Sequence, residues 1–518
     1  RMAEAEEVLA LLKQHELKAL TRQGVDQVKI LTPTGPERGL ATRYEQLASE
    51  SARTFVRQAA LKQKQAQGFT LNTEEVQELA ALGERARAQR AAFEAYLGGL
   101  QAALSSDPQA AARERDQLQR QMKSLASALR RIDGAQGGGP VARHVGLHYV
   151  VTDERLSIIV ALADRSFARQ VPVTAEALRQ QVAALRKALD DAALDPKPAA
   201  QALYQSLIAP VAADLAEIKP HTLVLSLTDQ LRYAPFAALW DAETGRYLIE
   251  RYALALYTPA GGGEARPLDA RGWSVSALGV TRGHRVVVAG EARPFDPLPA
   301  VGDELRAIVR PTAGGANEGA GVLPGEIALD PDFTRPRFEG ALNRHPVLHV
   351  STHFNFTPGS DDLSYLLLGD GGVLSLAELK DMPFEKVELL TLSACNTAKG
   401  GGRNERGAEV EGLAAAVQLQ GAKSVLATLW PVFDPSTALL MKAFYAHRTA
   451  SEKATGAQAL REAQLGLLRG AGAGSKTPEQ VNRERKAVRP EGAFVPDAKA
   501  PYAHPHYWAP FVLMGNWL

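Results

Sequence analysis

Two side chains able to act together on a carbonyl stand at the ends of two apolar runs. Val347-Leu348-His349-Val350-Ser351-Thr352 leads to His353, and Leu389-Leu390-Thr391-Leu392-Ser393-Ala394 leads to Cys395. An imidazole beside a thiol suits acyl transfer. It takes the thiol proton, raising the nucleophilic thiolate, and later returns a proton to the departing amine. An ordinary cysteine titrates near 8.5 and is mostly protonated at neutral pH, so it needs that help. The attack also needs donors aimed at the developing oxyanion, each worth roughly two to three orders of magnitude in rate. The backbone N–H of Cys395, where a strand gives way to a loop, is a candidate. Cys395 is the only cysteine in the chain. A free cysteine is more often a small buried hydrophobe, but this one ends its run rather than lying inside it. His349 lies inside its run and reads as a packing histidine.

The runs themselves say what must position these groups. Short continuous apolar stretches belong to strands buried on both faces of a parallel α/β sheet. Reactive groups in such sheets sit just beyond the carboxyl ends of the strands. His353 and Cys395 are therefore expected on one sheet edge. A third run, 424–429, ends at Trp430 and is followed by Asp434. Around these strands the expected order is a strand at 273–280, a helix near 300–310 and the His353 strand. A hairpin then turns through Gly369-Asp370-Gly371-Gly372, and a short helix near 375–381 precedes the Cys395 strand. Helices near 408–420, 435–448 and 455–469, an irregular excursion at 470–504 and a closing strand at 507–518 complete this part.

Upstream, 144–265 reads as an α/β supporting region with no cluster that suggests chemistry. It offers a hairpin of 147–151 with 156–162, helices near 174–190 and 198–218, a strand at 222–227 and a strand-rich piece at 247–257. Residues 1–133 read as an all-helical arm. Asn72 and Glu75 fit a capping box, apolar residues from Leu79 to Ala103, with Gln89 breaking the seam, and from Leu118 to Ile132 follow three-or-four spacing, and 105–108 makes a turn. An antiparallel helical hairpin follows, serving as a spacer or as a docking surface for a partner protein. Residues 134–140, rich in glycine, form the linker. The domain expectation is thus 1–133, 144–265 and 273–518.

Composition narrows the function classes. At 518 residues the chain is long enough for about two to four domains. Lys plus Arg is 59 against 58 Asp plus Glu, a net charge of +1, which gives no bulk electrostatic reason to bind nucleic acid or an acidic membrane. One cysteine excludes an internal disulfide and a cysteine-rich zinc site, and fits a reducing compartment. With no apolar run of 18 residues and no signal peptide, a cytoplasmic protein is expected. The chain opens Arg1-Met2 straight into a helical pattern, and a recut N-terminus with further domains upstream is expected. No metal or cofactor is expected either. His504-Pro505-His506 lacks partner ligands nearby, and the stretch 470–477 has Ser475 where a phosphate-binding loop needs glycine.

Four ordered motifs go further. Ser351-Thr352-His353-Phe354-Asn355-Phe356, Leu392-Ser393-Ala394-Cys395-Asn396-Thr397, Ala427-Thr428-Leu429-Trp430-Pro431-Val432-Phe433-Asp434 and Tyr507-Trp508 through Gly515 resemble a CHAT domain, a caspase-like and separase-related cysteine peptidase. The resemblance is strong over 273–518 and weaker through 231–239 and 247–250. It implies a caspase-like α/β sheet flanked by helices, preceded by a pseudo-protease-like supporting region. It also implies a dyad with His353 as acid and base and Cys395 as nucleophile. The spacing of 395 − 353 = 42 residues approximates the roughly 50 between the two in caspases. Relatives often carry tetratricopeptide repeats, and 1–133 resembles the spacer after such repeats, though no 34-residue repeat is evident in it.

Two positions depart from the caspase pattern. Phe354 stands where caspases place a glycine whose N–H joins the oxyanion hole, and Ser-Ala-Cys-Asn-Thr replaces Gln-Ala-Cys-x-Gly, so a preference for Asp does not carry over. In Arg-directed relatives an acidic residue after the next strand lines the primary pocket. Asp434 resembles it, with Trp430 and Ser393 as further substrate-binding residues. A partly desolvated carboxylate favours a guanidinium through paired hydrogen bonds, although Asp434 equally reads as the cap of a helix from Pro435. The expectation is a regulated cysteine endopeptidase cutting protein or peptide substrates after Arg or Lys. A partner protein would activate it through the N-terminal helices, and Arg403 or Arg406 would serve as self-cleavage sites. The rival is a catalytically silent interaction scaffold that uses the helical arm.

Overall fold

Continuous apolar runs that cannot leave one face in water must be covered on both, and the chain does this with one broad sheet between layers of helix. The computed structural model describes most of 144–518, together with 71–82 and scattered positions between 57 and 88. Outside it lie, among others, 259–266, 312–320, 356–360, 394–407, 431–434 and 471–493.

In chain order, β1 (His144–Val151), β2 (Leu156–Ala161) and β3 (Ser166–Val171) form an antiparallel meander. β4 (Thr222–Ser226) follows, then a two-residue ribbon of β5 (Trp240–Asp241) with β6 (Arg246–Tyr247), and β7 (Ala253–Leu256). β8 (Val275–Gly279) leads into a separate hairpin, β9 (His284–Val288) with β10 (Glu291–Phe295), and then β11 (Val309–Pro311) and β12 (Leu323–Leu329). β13 (Val347–Ser351) is followed by a small three-stranded flap of β14 (Phe354–Asn355), β15 (Tyr365–Leu367) and β16 (Val373–Ser375). β17 (Leu389–Leu392), β18 (Ser424–Thr428) and β19 (Phe511–Gly515) close the list.

The main sheet has twelve strands in the order β11-β12-β8-β13-β17-β18-β19-β7-β4-β1-β2-β3. From β11 to β18 every pairing is parallel, and β19 then runs antiparallel to β18. This is the α/β, caspase-like arrangement that the motifs imply. β7 is parallel to β19, and β4 and β1 are parallel to β7. The two halves of the sheet therefore run in opposite directions. The amino ends of β1, β4 and β7 share an edge with the carboxyl ends of β13, β17 and β18. The one main sheet takes strands from both 144–258 and 273–518, and one hydrophobic core extends from Val145 to Leu518.

Most elements match their sequence patterns. The 365–374 hairpin forms, with Gly371 at φ 86° in its turn, where a side chain would be strained. The helix Leu376–Lys380 starts at a capping box made by Ser375 and Glu378. Three expectations need correction. The piece at 247–257 holds a helical turn, Leu248–Arg251, because Glu250 reaches back to the Tyr247 N–H at 2.7 Å and starts a helix there. The stretch 198–218 is two helices, Lys197–Leu207 and Ala212–Ile218, broken at Pro210. The closing strand is only Phe511–Gly515, since the Trp508 indole donates to the Ala503 carbonyl at 3.1 Å and holds the preceding residues in turns.

The arm's capping box is present. Asn72 Oδ1 accepts the Glu75 N–H at 2.8 Å, and the Glu75 carboxylate accepts the Asn72 N–H at 3.0 Å. Leu61, Leu71 and Leu82 bury one another there. The 105–108 turn and the second apolar seam lie outside the described residues.

One buried charge ties the far ends of the core together. Arg448, 1% exposed at the end of the helix Pro435–Thr449, donates to the carbonyls of Ala454, Leu268 and Leu518 at 2.5, 2.8 and 3.0 Å. Its guanidinium lies 5.0 Å from the Trp273 ring. Burial lowers its pKa to about 10.

Candidate active site

His353 stands two residues past the end of β13, where the chain turns into the flap. The flap holds it from both sides: the Thr352 hydroxyl donates to the Leu367 carbonyl at 2.7 Å, and the Leu367 N–H donates to the His353 carbonyl at 2.9 Å. The ring is 2% exposed and lies 5.1 Å from the ring of Phe295, centre to centre, at the foot of the β9–β10 hairpin. Its Nε2 is 2.8 Å from the carbonyl oxygen of Asp296. A carbonyl only accepts, so Nε2 carries the hydrogen, and in the neutral ring Nδ1 becomes the nitrogen that takes a proton. An oriented imidazole with its partner nitrogen fixed this way is the usual preparation of a general base.

Burial pushes the His353 pKa below its ordinary 6.5, with the Asp296 carbonyl pulling the other way. The ring is thus neutral at pH 7 and ready to accept. The shift also has a sign for stability. A depressed folded-state pKa means that the unfolded chain binds the extra proton first, so stability falls as pH drops from about 6.5 toward the lowered value. His353→Gln is expected to flatten that part of the stability–pH curve. Urea titrations between pH 7.5 and 5 check it, and an unchanged slope in the variant would show that other groups cause the loss.

β17 delivers the second strand end. It pairs with β13 in parallel, with Val350 opposite Leu392, and the Ser393 N–H donates to the Val350 carbonyl at 2.9 Å. His353 is three residues past Val350, and Cys395 is three residues past Leu392. The two positions thus follow an opposed pair at equal offsets in sequence. Cys395 and Asp434 themselves lie outside the described residues, as do Arg403 and Arg406. Ser393 is buried at the strand end. Trp430, two residues past β18, is 3% exposed. Its indole donates to the His506 carbonyl at 3.1 Å, and the Arg186 guanidinium lies 4.3 Å from its ring. The geometry therefore brings His353 and Ser393 onto one edge, with Trp430 packed beside the next strand end.

The His504–Pro505–His506 motif is structural. His504 Nε2 and His506 Nδ1 meet the carbonyls of Leu194 and Leu189 at 2.9 and 2.7 Å. Among the described residues no cluster of His, Cys, Asp and Glu could hold a metal, and no helix is long and apolar enough to cross a membrane.

His349 is fully buried, as its place inside the run predicts, and both of its ring nitrogens have polar neighbours. Glu304 and Tyr445 flank its two nitrogens, each at 3.1 Å. Sequence reasoning missed Glu304, Tyr445, Phe295 and Asp296. Glu304 carried a signal, because it sits on the same stripe as Val301, Leu305 and Ile308, where a lone carboxylate demands a buried partner. Asp296 carried none, since it acts through its backbone.

No curated protein matches the chain. The separase of the Saccharomyces cerevisiae separase–securin complex is similar over 99% of this chain at 9% identity and a TM-score of 0.39, with the chain spanning 40% of that one. The Arg-specific cysteine proteinase gingipain R is similar over 67% of this chain and 68% of its own, at 9% identity and a TM-score of 0.30. A sequence model of the CHAT domain matches residues 197–516, more than half of the chain, and the protein belongs to the CHAT-domain family.

Proposed function

We propose that this protein is a regulated cysteine endopeptidase in which Cys395 attacks the scissile carbonyl and His353 moves the proton. The observation that supports this most is the register of β13 and β17, in which Val350 faces Leu392; His353 and Cys395 each follow three residues later in sequence. The Asp296 carbonyl, by holding Nε2, leaves Nδ1 to take the thiol proton. The thiolate adds to the carbonyl, and the imidazolium returns its proton to the departing amine. Water, deprotonated by the same ring, then releases the acyl group and regenerates the thiol. Neither half-reaction needs a metal.

Substrate recognition is assigned to the β18 end. Asp434 binds the side chain of a basic residue, Trp430 supports the pocket wall and Ser393 borders the cleft. A carboxylate that accepts two hydrogen bonds from a guanidinium discriminates strongly against an acidic side chain, which it repels. Regulation is assigned to a partner protein that engages the N-terminal helices. The decisive comparison is wild type against Cys395→Ala on Arg-, Lys- and Asp-terminated reporter peptides, with and without candidate activators. Turnover confined to basic reporters in wild type is expected. Equal, zero turnover in both proteins under all conditions would favour the silent scaffold.

The pocket has its own test. Asp434→Ala is expected to reduce kcat/KM on an Arg reporter by about a hundredfold, the scale of losing a charge-assisted bidentate contact of about 3 kcal/mol, while the thiol stays reactive toward iodoacetamide. An Arg preference that survives the change would assign Asp434 to capping the helix that starts at Pro435.

A further inference from the structure

Beneath the two strand ends lies a buried polar chain that the proposed reaction does not use. Glu304, 3% exposed on the helix Val301–Ile308, accepts the Ser351 hydroxyl on Oε2 at 2.8 Å and faces His349 Nε2 with Oε1 at 3.1 Å. His349 Nδ1 is 3.1 Å from the Tyr445 hydroxyl, which is 2.8 Å from Thr391 Oγ1. Ser351 and His349 are on β13, Thr391 is on β17, and Tyr445 is on the helix Pro435–Thr449. The chain therefore joins both strands to two helices on one face of the sheet.

Its position is what matters. His349 and Thr391 are direct register partners. Four residues beyond them come His353 and Cys395, respectively. The donors and acceptors also run in one consistent direction. With Glu304 ionised, His349 donates from Nε2 and accepts at Nδ1 from Tyr445, and the Tyr445 oxygen accepts from Thr391. Burial pushes the Tyr445 phenol well above its usual range, so it remains a donor. A leucine in place of Glu304 would fill this interior without the desolvation cost of a carboxylate. What an apolar residue would not do is refuse a slipped register. A one-residue shift of β13 turns Val350 toward Glu304 and His349 away from it, leaving a buried charge without its donors.

We propose that Glu304 is a positioning residue for the reaction: through His349, Tyr445 and Thr391 it locks β13 to β17, and so sets His353 against the end of β17. This rests on the peptidase reading above. A displacement of about 1 Å at a reacting pair costs on the order of a hundredfold in rate, so the lock has a measurable consequence.

The test uses Tyr445→Phe and Glu304→Gln in the full chain, with His353→Ala as reference. Tyr445→Phe keeps the ring and its packing on Phe444, so it decides the matter if Glu304→Gln fails to fold. Two readouts are taken: kcat and KM on a cleaved reporter, and the pH midpoint of iodoacetamide alkylation of the sole thiol. The expected result is a tenfold to hundredfold fall in kcat, as order of magnitude, with KM within about twofold. The alkylation midpoint should move toward that of His353→Ala, a change that a merely structural role would not produce. A midpoint that depends on His353 but is the same in wild type, Tyr445→Phe and Glu304→Gln overturns this proposal alone. Identical midpoints in wild type and His353→Ala overturn the dyad, and this proposal with it.

Discussion

Cys395→Ala is expected to lower turnover of an Arg-terminated reporter by at least about four orders of magnitude, and His353→Ala by nearly as much. Removing a nucleophile or its base typically costs up to about a millionfold, and the two losses overlap rather than add, because each group acts only through the other. The double variant should therefore be no slower than the slower single variant. Single-turnover kinetics on the purified chain measure all three. Full multiplicativity would mean that the two residues serve separate steps. Residual activity near one per cent in Cys395→Ala would place the nucleophile elsewhere.

The second large effect concerns folding. Arg448→Leu is expected to destabilise the chain by roughly 3 kcal/mol or more. It strips the guanidinium donors from three carbonyls, and each carbonyl left dry costs about 1–3 kcal/mol. It also removes the cation over the Trp273 face, a contact worth up to about 2 kcal/mol when desolvated. Arg448→Lys should recover little, since one ammonium cannot span three acceptors in the guanidinium plane. Urea unfolding followed by tryptophan fluorescence measures the change. A loss below 1 kcal/mol in the Leu variant would mean that water or other donors reach those carbonyls.

The strand ends were legible because their physics is local. A run such as 347–352 has no polar face to give to water, so it must be a central strand, and the residue that ends it must meet the sheet edge. Hairpin glycines and capping boxes are similarly local, which is why Asn72–Glu75 and the 369–372 turn appear where their patterns put them. What stayed hidden depends on the crossing of distant segments. The Asp296 carbonyl reaches His353 across 57 residues and leaves no mark in side-chain identity. His349 reads as a core or packing histidine, but its partners Glu304 and Tyr445 come from two helices 45 and 96 residues away. The joining of both halves into one sheet, through β7 and β19, likewise depends on the pairing of Leu256 with Met514, which are far apart in sequence.

The opposed running of the two halves brings the start of one to the edge where the other ends. The amino end of β1, at His144, lies on the same sheet edge as the carboxyl ends of β13 and β17. Residues 134–143 reach at most about 35 Å when fully extended. That length bounds how far from this edge residues 1–133 can be attached.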